Sequence, residues 1–239
     1  MKLSAPIYVL KQQARVLSRT EGIPLHQALD RIANREGFRA WSLLAAKVTP
    51  TQKGPVSTLL AQLHAGDLVL LGSRRGQGKT RLSIELAIQM MRRGSQAAFF
   101  TLDFTSTEVA NCFQALGEDL DEFQDRFLVD TSDQICAEYI ISSLASAPVN
   151  TLVVIDYLQL LDQKRENPAL TSQVRQLRSF ARERQLIILC LSQIDRRYDS
   201  TNRPCPGIDD VRLPNPLDLS LFDKSCFLHQ DTLQIASSA

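Results

Sequence analysis

Residues Leu68 to Thr80 read LVLLGSRRGQGKT. The aliphatic run Leu68 to Leu71 suits a strand buried on both faces. After it comes a glycine-bearing loop closing on Gly-Lys-Thr, and then a helix over Arg81 to Arg93. On that helix Leu82, Ile84, Leu86, Ala87 and Met90 recur at mixed three- and four-residue spacing. Strand, glycine loop and helix start in this order form a cradle for phosphate, because unpaired backbone N–H groups and the positive end of the helix face an anion together. The candidate nucleotide-binding residues are Ser73, Arg74, Arg75, Gly76, Gln77, Gly78, Lys79 and Thr80. Backbone N–H groups from Gly76 to Lys79 would point at a triphosphate, Lys79 would reach its β and γ oxygens, and the Thr80 hydroxyl would coordinate Mg²⁺. One position departs from the usual spacing: where a glycine normally stands five residues before Gly78, this chain has Ser73, with Gly72 one place earlier. A Gly-Lys-Thr tripeptide is common in surface turns, so the flanking strand and helix carry the reading.

A second apolar run, TLVVIDYLQLL over Thr151 to Leu161, places Asp156 at the end of a buried strand. A carboxylate there is costly unless it is paired or lies near a cation, and Mg²⁺ held by Thr80 would supply that partner. An aspartate that only ends the strand in a turn is the alternative at this point.

The chain has 239 residues and 44% apolar content, enough for one full α/β core plus a small appendage. Net charge is +1, yet residues 1–48 carry eight Lys or Arg against three Asp or Glu. That basic end would suit an anionic partner or a solvated helix face. The five cysteines are odd in number, lack C-x-x-C spacing and form no zinc pattern with the three histidines, so they read as reduced thiols. Cys190, inside LIILCLS, reads as a small buried hydrophobe. With no secretory leader and no apolar stretch of membrane-spanning length, the expectation is a cytoplasmic protein without membrane association.

Three helical pieces are expected at the amino-terminal end. They are marked by Ile7, Leu10, Ala14 and Leu17; by Leu25, Ala28, Leu29 and Ile32; and by Trp41, Leu43 and Leu44. Gly22 to Pro24 and Gly37 supply the breaks. Phe38 and Trp41 suit its small core. The expected organisation is a basic helical module over 1–48, a linker over 49–55 with the turn-rich TPTQKGP, and an α/β domain over 56–239. In that domain strands are expected at 68–72, 97–102, 127–129, 152–157 and 186–191. Helices are expected at 106–116, 132–146 and 169–184, and weaker strands at 225–228 and 232–235 would close the sheet. Such alternation gives a mostly parallel sheet with helices on both faces.

Four segments in one order, GSRRGQGKT, AAFFTLDF, TLVVIDYLQLL and IILCLSQIDRR, resemble the ATPase domain of DnaB-type replicative helicases, a branch of the RecA-like P-loop ATPases. The most specific piece is Asp156 to Gln159. The resemblance covers about residues 56–236 and implies ATP and Mg²⁺ as cofactors, single-stranded DNA as partner, and a homo-oligomer such as a hexameric ring. It implies that Lys79 and Thr80 bind phosphate and metal, that Asp156 completes the metal shell, and that Asp103 stands where the family has its catalytic glutamate. Aspartate is one methylene shorter, and displacing a catalytic group by about 1 Å costs on the order of a hundredfold in rate. Slow turnover follows; an aspartate capping the helix near Ser106 is the other reading. Gln193 matches the family's sensor glutamine, and a structural glutamine is its alternative. Arg196, Arg197, Arg203 and Arg212 lie on the segment that the resemblance turns toward DNA, although each also suits an ordinary solvated loop.

Two departures from the family stand out in the sequence. The basic hairpin that supplies an arginine finger to a neighbouring subunit is not recognisable near Ile235, and a small basic module replaces the larger amino-terminal domain. The expected activity is therefore a DNA helicase or translocase in replication or repair, with weak hydrolysis. Its alternative is an ATP-binding accessory or regulatory module that grips DNA or a replication protein.

Overall fold

The computed structural model describes residues 3–5, 7–48, 54–164, 166–198, 203, 205–213, 215–229 and 232–237. The expected linker positions 49–53 lie outside them. The chain divides into two compact units, Met1–Lys53 and Gly54–Ala239.

In the first unit, helices α1 (Ile7–Glu21), α2 (Leu25–Arg35) and α3 (Trp41–Val48) follow one another. Gly22 and Gly37 sit at positive φ after α1 and α2, a conformation that side chains disfavour, and so they mark where each helix stops. Leu10, Ala14, Ala28, Ile32, Ala33 and Leu44 form a small core, against which Leu17, Leu29, Phe38 and Trp41 pack. The Trp41 N–H donates to Asp30 Oδ1 at 2.8 Å, which joins the start of α3 to α2. Leu25 and Leu43, expected on the apolar faces, are 40% and 54% exposed. Leu25 is the first residue of α2, where the stripe runs out at the helix end, and Leu43 lies one position off the buried Leu44.

The second unit begins with a helix that the turn-rich reading of this stretch did not include, α4 (Pro55–Leu60), with Pro55 at its first position. Proline suits that position because its missing N–H would have no helical partner. Seven strands then form one sheet in the order β3-β2-β4-β5-β1-β6-β7. They are β1 (Leu68–Ser73), β2 (Ala97–Thr101), β3 (Phe127–Asp130), β4 (Leu152–Asp156), β5 (Ile187–Gln193), β6 (Lys224–His229) and β7 (Thr232–Ser237). Every pairing is parallel except the final antiparallel hairpin of β6 and β7. Alternate residues serve opposite faces, as strand geometry requires. Leu70, Phe100, Ile155 and Cys190 join one core with α7 (Ala137–Ser143) and α8 (Leu170–Arg184). Val69, Phe99, Val154 and Leu189 join the other with α4, α5 (Lys79–Arg92) and α6 (Ser106–Leu116). Burying each such aliphatic side chain is worth about 1.5–3 kcal/mol.

The helix expected over 132–146 is shorter. The Ser132 N–H donates to Asp130 Oδ1 at 2.9 Å and the Gln134 N–H to Ser132 Oγ at 3.2 Å. These local side-chain bonds satisfy the backbone in a turn and delay the helix to Ala137. All five cysteines are free, and burial pushes the thiols of Cys190 and Cys226 up to about 12, so both act as apolar filler. Among the described residues, no helix is long and apolar enough to cross a membrane.

Candidate functional site

β1, β4 and β5 are adjacent, and their carboxyl ends carry Ser73, Asp156 and Gln193. Ser73 is in register with Gln193, and Asp156 with Leu191, so the ends of these strands open on one edge of the sheet. Ligands in open α/β sheets bind at this edge.

The loop after β1 holds Gly76 and Gly78 at φ of 79° and 87°. A Cβ built at either glycine would meet nothing within 4 Å, so the open space beside the loop stays free and conformation alone requires glycine there. Gly78 is the left-handed residue from which α5 starts, and its carbonyl accepts from the Leu82 N–H at 2.8 Å. Ser73 is fully buried, lies within β1 and has no positive φ, which is why a side chain is tolerated where the usual spacing has glycine. Gly72 does a different job. A Cβ there would stand 3.0 Å from both Ile194 Cδ1 and Phe227 Cδ1, so it lets the ends of β5 and β6 close in.

The first residues of α5 meet the end of β4. Thr80 Oγ1 donates to Asp156 Oδ2 at 2.8 Å, while Lys79 is buried to 9% exposure beside them. Asp156 is 1% exposed, and its Oδ1 has no hydrogen-bond partner among the described residues. Burial raises the Asp156 carboxyl above the usual carboxylate range, the Lys79 ammonium and the Thr80 hydroxyl pull it back, and the charge of Asp103 adds to the rise. An acceptor without a donor, next to a hydroxyl and an ammonium, is the donor set that a divalent cation with phosphate oxygens would complete. The residues present therefore fit Mg²⁺ and a nucleotide.

Asp103 lies on the exposed segment after β2, and its N–H donates to Thr101 Oγ1 at 3.1 Å. It does not cap α6. That role belongs to Thr105, whose hydroxyl accepts from the Glu108 N–H while the Glu108 carboxylate accepts from the Thr105 N–H. Thr101, in register with Asp156 across β2 and β4, holds the Asp103 backbone through its Oγ1, and the sequence reading did not single it out. A threonine two residues before a candidate acid at a strand end was its only signal.

Gln193 ends β5, and its carbonyl accepts from the Arg212 N–H at 2.8 Å. Arg74, Arg75, Gln193, Arg196, Arg197 and Arg212 line one cleft of about 560 Å³, together with Ile194 and Asp195. Arg74 also donates to the Tyr198 carbonyl at 3.3 Å. Arg203 stands apart from its expected companions. Its guanidinium donates to Asp210 Oδ1 at 2.6 Å and lies 5.3 Å above the Tyr198 ring. Asp210 Oδ2 also accepts from the Gly207 N–H, so Asp210 is a brace that the sequence reading missed; its signal was the acidic GIDD turn. Lys224 is engaged as well, pairing with Asp67 at 2.5 Å between two largely buried side chains.

Residues 113–218 match the family described as DnaB-like helicase C terminal domain. The chain is 24% identical over 201 residues to a probable plasmid replicative DNA helicase of Chlamydia psittaci, covering 70% of this chain and 43% of that protein. It is 23% identical over 224 residues to the replicative DNA helicase DnaB of Helicobacter pylori, covering 77% and 46%. It thus spans less than half the length of these curated relatives. Among solved structures, a DnaB-like replicative helicase, described together with its interactions with primase, superposes with a TM-score of 0.61 at 17% identity, covering 97% of this chain and 70% of that one. The fold is RecA-like, and the chain resembles the DnaB-like helicase ATPase domain in sequence.

Proposed function

We propose that this chain, from its likeness to the DnaB-like helicase C-terminal domain, is a magnesium-dependent ATPase that acts on single-stranded DNA in replication or repair as part of a homo-oligomer. The observation that carries this reading is the meeting of Lys79, Thr80 and Asp156 at the edge of the sheet, beside an arginine-lined cleft. Backbone N–H groups of Gly76 to Lys79 and the Lys79 ammonium hold the phosphates, with Ser73, Arg74, Arg75 and Gln77 shaping the cradle. Thr80 and Asp156 hold the cation. Bound Mg²⁺ supplies charge neutralisation on the transferring phosphate. Asp103 orients the attacking water and takes its proton, and its short side chain keeps turnover slow. Gln193, one strand over from Asp156, senses the terminal phosphate through its amide. Arg196, Arg197 and Arg212 contact nucleic-acid phosphates without reading sequence, since guanidinium groups on a loop recognise charge. Arg203, held by Asp210, shapes the loop from within.

Hydrolysis of ATP measured with and without single-stranded DNA tests the reading. DNA should raise turnover, and Lys79→Ala should lower it by on the order of a hundredfold or more, since it removes a charge aimed at the transferring phosphate. ATP binding without turnover, with turnover restored by Asp103→Glu, would instead identify an accessory module that binds ATP and hydrolyses little. A protein whose turnover ignores DNA would contradict the motor.

A further inference from the structure

Gln159 lies in the 3₁₀ turn Leu158–Asp162, three residues beyond Asp156. Its neighbours Leu158, Leu160 and Leu161 are at most 1% exposed, so the turn is clamped in the core and follows the end of β4 as a rigid piece. Gln159 faces the other way. Its Nε2 donates to the Arg212 carbonyl at 2.7 Å and approaches Ser192 Oγ at 3.4 Å. The Arg212 N–H donates to the Gln193 carbonyl, Ile194 and Val211 form an antiparallel bridge, and the Ile194 N–H donates to the Ser73 carbonyl at 3.0 Å. A chain of bonds therefore runs from the strand bearing Asp156, through Gln159 and Arg212, to Gln193 and the start of the phosphate loop.

The Gln159 Oε1 is also buried and has no partner among the described residues. A buried amide oxygen without a donor is unfavourable, and turning the amide over would set oxygen against the Arg212 carbonyl. The orientation is fixed by the Arg212 bond, which leaves the acceptor spare.

The geometry points to Gln159 as a positioning residue that transmits occupancy of the nucleotide site to the segment carrying Arg196, Arg197 and Arg212. This inference rests on the nucleotide reading above. Asp156 would hold a cation at the end of β4, the clamped turn ties that end to Gln159, and the Gln159 bond to the Arg212 carbonyl joins it to the far side of the loop. Two sites joined by such an element are coupled reciprocally, so ligand on either side biases the other.

Amide hydrogen exchange of the full chain, with and without Mg²⁺ and a non-hydrolysable ATP analogue, tests this. In the wild type the analogue should slow exchange at residues 76–80 and, by about fivefold or more, at 193–198 and 205–213. Gln159→Glu keeps the shape but replaces the Nε2 donor with an acceptor, and Gln159→Leu removes both groups. Each should keep the protection at 76–80 and at Gln193 and Ile194, which meet the nucleotide site directly, and lose the analogue-induced slowing at 205–213. A merely structural role would speed exchange at 205–213 equally with and without analogue, leaving the nucleotide-induced difference intact, and that result would overturn the inference while sparing the nucleotide site. No protection at 76–80 in the wild type would overturn both.

Discussion

Gly72 shows how one residue fixes the edge on which the site is built. Its place would pass for an off-register loop glycine, but its role is close packing: Ile194 and Phe227, both under 5% exposed, would have to give way to a methyl group standing 3.0 Å from each. Gly72→Ala should destabilise the protein by about 1–3 kcal/mol, as overpacking of a filled core does. Urea unfolding monitored by circular dichroism checks this, and unchanged stability would mean that Ile194 and Phe227 give way freely. Other single residues were more legible. Lys79 and Thr80 were named by the glycine loop, and Asp156 by a charge ending an apolar run. What could not be read was how guanidinium and carboxylate groups pair across a loop. Arg203 looks like its neighbours in sequence, yet only folding brings Asp210 beneath it.

Among elements, β1, β4 and β5 were legible because strands buried on both faces need continuous apolar runs, and α6 because its apolar period was unbroken. The helix over 132–146 was overextended because apolar spacing does not register the turn made by Asp130 and Ser132. The neighbour order of the strands was not legible either, since long-range pairing leaves no local signal. One such long-range tie joins the start of β1 to α8. Asp223 accepts from the Leu68 N–H at 2.9 Å and from Arg178 and Arg182 at 3.0 and 2.9 Å. Burial raises its carboxyl, but the Leu68 N–H and the two guanidinium groups outweigh that and hold it below the usual carboxylate range. A lowered folded-state value means that the stabilisation is present above the ordinary aspartate range and is lost as pH falls through the lowered value. Asp223→Asn should therefore cost about 1 kcal/mol near neutral pH, a figure kept small because Arg182 is half exposed. The gap from wild type should close as pH falls through that lowered value. Denaturant melts of both proteins from neutral pH down to that point measure it, and a gap independent of pH would refute the ion-pair account.

At the scale of the molecule, a mostly parallel sheet with two apolar faces sets the glycine loop, Asp156 and Gln193 on one edge, and the arginine cleft opens beside them. The amino-terminal unit has its own core and an excess of basic residues. In the proposed function, Lys79, Thr80 and Asp156 together bind one magnesium-bound nucleotide. Equilibrium binding of a fluorescent ATP analogue, titrated with and without Mg²⁺, measures it most directly. Mg²⁺ should tighten binding by about tenfold or more, roughly 1.4 kcal/mol. Asp156→Asn and Thr80→Ala should each abolish that gain, and Lys79→Ala should weaken binding with or without metal. Analogue affinity that is indifferent to Mg²⁺ and unchanged by Asp156→Asn would contradict the account.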